Sequence, residues 1–166
     1  MVVGVRAIAN ELLNLAEDAG VGIDPLQIQK LVYLEQGWTL GLTSEQLFRE
    51  PIEAWEYGPV VPELYHSVKL FGASRIRGRL KDYDYVHRRV VTACAALDKT
   101  EGEIVRAVWK KYGSWSGPQL ISLTHQRSSP WRQARNTGEY NARISVEAMR
   151  VWFANEAERA SLVNYP

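Results

Sequence analysis

Apolar positions near the start of the chain recur at steps of three and four residues. Val5, Ile8, Leu12, Leu15 and Ala19 form one stripe, with Gly20 where a helix would stop, and predict an amphipathic helix over Val5 to Ala19. Asp24-Pro25-Leu26-Gln27 reads as a capping box with proline at the first helical position. The helix it opens runs through Ile28, Leu31, Val32, Leu34 and Trp38 to about Leu42. Few charges interrupt it, so it is expected to be the central, most buried helix, with Lys30 and Glu35 on its wetter side.

Between Pro51 and Val61 the rhythm changes to alternation, with Ile52, Ala54 and Glu56 against Glu53, Trp55 and Tyr57, and Gly58-Pro59 punctuates its end. This predicts a short strand and a turn, with Trp55 and Tyr57 on one face. Pro62 suits a first helical turn, and Leu64, Tyr65, Val68 and Phe71 continue as a third helix closed by Gly72. Residues 73–89 are polar and basic without a clear period, which leaves a loop or a weak strand pair open.

Helical signals return after Asp98 and Thr100, either of which caps a helix carrying Ile104, Val105, Val108, Trp109 and Tyr112, ended by Gly113. Ser116 with Gln119 caps another through Leu120 to Thr124, and Ser129-Pro130 opens a shorter one with Trp131 and Ala134. Asn136 to Gly138 is a turn, and Ser145 starts a last helix with Val146, Met149, Phe153, Ala157 and Ala160 along one stripe. The expected fold is mainly α: a single compact helical domain, 1–166, of about six to seven helices with a small β element near residues 51–61.

Composition narrows the function. The chain has 166 residues, 46% hydrophobic and 23% charged, which suits one globular domain rather than a disordered segment. Its net charge of +1 supplies little of the electrostatic pull that phosphate-binding proteins rely on. No apolar run approaches the roughly 20 residues that span a bilayer. The single cysteine, Cys94, excludes an internal disulfide, and no secretory signal precedes the first helical pattern, so a cytoplasmic protein without a membrane role is expected. Lying in Val90-Val91-Thr92-Ala93-Cys94-Ala95-Ala96, Cys94 is read as a buried, inert thiol.

Chemistry is sparse. His66, His87 and His125 lie far apart and share no ligand spacing, so no metal or cofactor is expected. No nucleophile elbow, phosphate-cradling glycine loop or dinucleotide fingerprint occurs, and the reading is of a non-enzymatic protein. Glu53 and Glu56 are read as a solvated pair rather than an acid–base pair. Arg75, Arg77, Arg79 and Lys81 alternate with apolar or small residues, as phosphate-tracking strands do, but Asp82 and Asp84 follow at once. A solvated or partner-facing stretch and a nucleic-acid contact both remain open there.

Two blocks carry a resemblance. One runs Leu26-Gln27-Ile28-Gln29-Lys30-Leu31-Val32-Tyr33-Leu34-Glu35-Gln36-Gly37-Trp38, then Leu47-Phe48 and the segment from Pro51-Ile52-Glu53-Ala54-Trp55-Glu56-Tyr57-Gly58-Pro59 to Tyr65. The other comprises Tyr112-Gly113, Leu120, Leu123-Thr124-His125 and Ser129-Pro130-Trp131 with Ala134. Together they resemble the Panacea family of SocA-like antitoxins and phage-associated GepA-like proteins. The match covers nearly the whole chain, weakest from Ser74 to Arg89. Glu35 stands where a small apolar residue is expected and Glu56 where lysine is frequent.

The resemblance implies a mainly helical antitoxin that neutralises a cognate toxin protein by direct binding, and one SocA-type member works instead as a proteolytic adaptor to a ClpXP-type protease. Candidate partner-binding residues are Trp55, Tyr57, Gly58, Pro59, Tyr65, His125 and Trp131. Trp55 and Tyr57 read either as a lid over the core or as a hot spot. His125, at a helix end, is read as bonding a free backbone carbonyl or as contacting a partner. A DNA-binding autorepressor or phage regulatory protein is the alternative.

Overall fold

In a computed structural model, residues 3–163 are described; the expected domain extends past them by Met1, Val2 and residues 164–166. Among the described residues, seven α-helices and two antiparallel strand pairs follow in the order α1 (Val5–Asp18), α2 (Pro25–Thr43), β1 (Glu53–Trp55), β2 (Gly58–Val60), α3 (Pro62–Val68), β3 (Lys81–Asp84), β4 (Arg89–Thr92), α4 (Lys99–Tyr112), α5 (Gly117–Thr124), α6 (Pro130–Arg135) and α7 (Val146–Val163). A 3₁₀ turn, Lys69–Phe71, extends α3. The mainly helical architecture is as expected, and of the two readings left open for residues 73–89 both hold in part: 73–80 form a loop and Lys81 begins the β3–β4 pair.

Local chemistry sets the boundaries. Asp24, Asp98 and Ser116 each accept from a main-chain N–H three residues on, while Gln27, Glu101 and Gln119 reach back to the cap, so three helices start on closed capping boxes. Of the two caps proposed for α4, Asp98 is the one used.

α2 is the axis of the domain and touches α1, α3, α4, α5, α7 and β2. That surround explains why its sequence shows little one-sidedness. Leu31 is 1% exposed, and truncating such a leucine costs about 2–5 kcal/mol. α7 lies directly on its backbone: a Cβ at Gly37 would meet Phe153 Cε2 at 2.2 Å, and one at Gly41 would meet the Phe153 main chain at 2.6 Å. Two glycines one turn apart thus let α7 close onto α2.

Two expectations are corrected here. Lys30 and Glu35 lie on no wet side: they are 1% and 0% exposed, because neighbours cover the middle of α2, residues 28–37, around its circumference. Cys94 is exposed rather than buried, since the extended chain after β4 alternates and turns Ala93 inward. Among the described residues no helix is long and apolar enough to cross a membrane.

Candidate functional site

The predicted strand and turn form a hairpin. β1 and β2 pair as Glu53↔Val60, Ala54↔Pro59 and Trp55↔Gly58, leaving Glu56 and Tyr57 as the two-residue turn. The expected strand therefore ends at Trp55, and Gly58 opens its partner. On the other edge Ala54 N–H donates to Ala142 O at 2.8 Å and Ile144 N–H to Ile52 O at 2.8 Å, so β1 sits between β2 and the segment before α7. Because the Ala54 N–H points away from β2, proline opposite it at 59 forfeits no ladder bond.

Gly58 is required twice. Its φ of +104° is rare for any side-chain-bearing residue. A Cβ there would also lie 2.7 Å from Lys30 Cε and 2.9 Å from Thr124 Oγ1. The hairpin is thereby seated on α2 and α5.

Adjacent residues of α2 hold it. Gln29 accepts from the Val61 N–H at 2.9 Å and donates to the Val61 carbonyl at 3.2 Å. Lys30 Nζ donates to the Pro59 carbonyl at 3.1 Å. Burial lowers the Lys30 pKa to about 7, because the low-dielectric surroundings disfavour its ammonium form. Glu35, five residues further on, has both carboxylate oxygens buried without a hydrogen-bond partner among the described residues, and burial holds its pKa well above the carboxylate range.

The aromatic candidates gather around this seat. Trp55 donates Nε1–H to Glu53 Oε2 at 2.6 Å and packs edge-on against Tyr65, ring centres 5.1 Å apart. Tyr57 stands 64% exposed at the turn. Trp131, buried on α6, donates its indole N–H to the Trp55 carbonyl at 2.8 Å. His125 stacks on Trp131, rings 3.7 Å apart and 8° from parallel, and Arg132 lies over the same indole at 4.8 Å.

The expected hydrogen bond from the His125 ring to a helix-end carbonyl is absent: Nε2 is buried with no partner among the described residues. Stacking fixes the ring instead, and the His125 carbonyl accepts from Arg132 Nη2 at 3.3 Å. Burial lowers its pKa, helped by the charges of Arg132, Lys30 and Arg135, so the ring favours the neutral form.

A cleft of about 550 Å³ opens beside the hairpin, walled by Trp55, Tyr57 and Tyr65 together with Leu26, Arg135 and Tyr140, with Lys30 at its lining. The structure thus brings Trp55, Tyr57 and Tyr65 to one surface and places Gly58, Pro59 and Trp131 beneath it as support. His125 sits behind Trp131, on a separate polar depression with Arg127 and Arg132. Sequence reasoning missed Arg135 and Tyr140. Tyr140 carries a signal only in hindsight, as an aromatic just beyond the Asn136–Gly138 turn, 89% exposed. Among the described residues no three of His, Cys, Asp and Glu converge as metal ligands would.

Comparison with known proteins matches the description of an antitoxin SocA-like, Panacea domain to residues 28–132, a span that begins in α2 and includes all seven candidates. Antitoxin SocA of Caulobacter vibrioides (strain NA1000 / CB15N) is 30% identical over 129 residues, covering 78% of this chain and 69% of that protein. No solved structure matches.

Proposed function

The chain belongs to the SocA-like Panacea antitoxin family, and from that premise we propose that it is the cytoplasmic antitoxin of a bacterial or prophage toxin–antitoxin pair, binding its toxin directly. The observation that supports this reading best is the aromatic cleft: exposed Tyr57 and Tyr140 with half-open Tyr65 and Trp55 surround a concavity backed by buried, hydrogen-bonded groups. Rigid aromatics presented at a rim over a packed base are the usual anchors of protein interfaces. Trp55, Tyr57 and Tyr65 are the contact residues in this reading; Gly58, Pro59, Trp131 and His125 hold them in place.

Binding rather than catalysis is the better account of the same residues. Glu53, which acid–base chemistry would enlist, is committed to the Trp55 indole. The autorepressor alternative is weakened because Arg79, within its basic stretch, is engaged locally with Glu17 and Asn14.

The test is co-expression with the product of the neighbouring gene. Growth rescue together with co-purification supports the reading; failure of both, with both proteins soluble, removes it. Occlusion and delivery to a ClpXP-type protease separate in the same experiment, since toxin that disappears only in protease-bearing cells marks an adaptor.

A further inference from the structure

The β3–β4 hairpin carries an exposed apolar surface that the cleft does not use. Tyr85, Val86 and Val90 are 83%, 85% and 66% exposed, and Tyr83 is nearly half open. Single exposed hydrophobics are ordinary, but a contiguous group marks a surface made to be covered. Tyr83, on β3, and Tyr85, the first residue of the turn after it, pack edge-on at 4.9 Å, Tyr83 pairs across the ladder with Val90, and all three line one depression.

This hairpin is not a loose flap. Two strands alone are marginal in water, and here the base is clamped by buried Asn10. Its amide donates to the carbonyls of Leu80 at 2.9 Å and Ala93 at 2.8 Å, and its oxygen accepts from the Leu80 N–H at 2.8 Å. Arg6 ties the inner edge to α3, with Nη1 3.0 Å from Glu63 and 3.1 Å from Asp82, and Nε donating to Ser67 at 2.8 Å. α3 presents Tyr65 to the cleft from another side, so the cleft and the hairpin flank one helix.

Charge says what kind of surface fits. Arg6 lies between Glu63 and Asp82, so its one positive charge is shared by two carboxylates. Asp84 accepts from His87 Nδ1 at 2.7 Å, from the N–H groups of Val86 and His87, and faces Arg89 at 4.0 Å. Against these satisfied acids, Arg88 makes no ion pair among the described residues, and Lys81 bonds a hydroxyl rather than a carboxylate. Arg6, Lys81, Arg88 and Arg89 against Glu63, Asp82 and Asp84 leave the surroundings of the apolar centre with an excess of one positive charge, the complement of an acidic surface. The two exposed valines offer nothing to bases or phosphates, and a chain of net charge +1 lacks a broad phosphate-attracting field.

We propose that the outer face of β3–β4, Tyr83, Tyr85, Val86 and Val90 within a rim of Lys81, Arg88 and Arg89, docks an acidic, partly apolar surface of the toxin protein. The assignment rests on the antitoxin reading and names the partner chemistry it requires.

Calorimetric titration with the purified product of the neighbouring gene tests it. Tyr85→Ser with Val86→Ser is expected to weaken binding about tenfold or more while the melting temperature stays at the parent value, because both side chains already stand in water. Replacing Lys81, Arg88 and Arg89 by Ser is expected to weaken binding and to flatten its salt dependence. Full affinity in the Tyr85→Ser, Val86→Ser variant overturns the docking assignment alone. A parent protein that does not bind the toxin overturns the antitoxin reading and the assignment with it. Binding of a promoter duplex that is lost in the charge variant, with toxin affinity unchanged, overturns the assignment in favour of a nucleic-acid surface.

Discussion

Trp131 donates its indole N–H to the main-chain carbonyl of Trp55 across 2.8 Å, joining α6 to the hairpin from 76 residues away in the chain. The same indole is stacked by His125 on one side and covered by Arg132. One side chain thus connects three segments that the candidate face depends on.

Trp131→Phe keeps an aromatic ring but removes the donor, leaving the Trp55 carbonyl short of a partner. The expected loss is about 0.5–1.5 kcal/mol, the range for a single hydrogen bond. Urea denaturation midpoints measure it, and an unchanged midpoint would show that the tie contributes nothing.

Tyr57→Ala and Trp55→Ala should behave differently, although both line the cleft. Tyr57 stands in water, so its truncation leaves the melting temperature near the parent value while toxin binding falls by about 2 kcal/mol, as at an interface hot spot. Trp55 packs on Tyr65 and bonds Glu53, so its truncation lowers both. Equal losses of stability in the two variants contradict this division.

Glu35 gives stability a pH dependence of definite sign. Its unfolded carboxyl ionises near pH 4.3, about the usual value for glutamate, while the folded one stays protonated to much higher pH. Between those limits the folded state holds the extra proton, so this group's contribution declines as pH rises and is fully present only below the unfolded pKa. Glu35→Gln is expected to remove that decline. Chemical denaturation at pH 5 and pH 8 on parent and variant checks it, and identical slopes would refute it.

Lys30 acts in the opposite direction over a higher window. Its folded pKa of about 7 lies below the unfolded value of about 10.4 for lysine. Between them the unfolded chain binds more protons, so stability rises with pH. Lys30→Met should be more stable than the parent near pH 7, with the gap closing towards pH 10. A constant gap across that range would mean that the amine does not titrate as its burial implies.

Helix caps, stops and apolar spacing make most of the fold legible in the sequence. Asp24, Asp98, Ser116 and Ser129 act through neighbours three residues away, and interactions that local leave their mark in the order of residues. The motifs from Leu26 to Tyr65 and from Tyr112 to Trp131 were likewise enough to indicate the family. The partner-facing residues were legible only as a set, because a motif names residues without saying which reach solvent.

What the sequence by itself determined is therefore the mainly helical design, the place of the strand–turn element and the family. Tertiary structure alone decided that Lys30 and Glu35 are buried, that Cys94 is exposed, that Trp131 meets Trp55, and that Tyr83, Tyr85 and Val90 form one open face. The physical reason is common to all four. A periodic pattern describes how side chains are distributed around their own helix or strand, whereas burial depends on which other elements close over that surface, and the middle of α2 is closed over on every side while β3–β4 is clamped only at its base and inner edge.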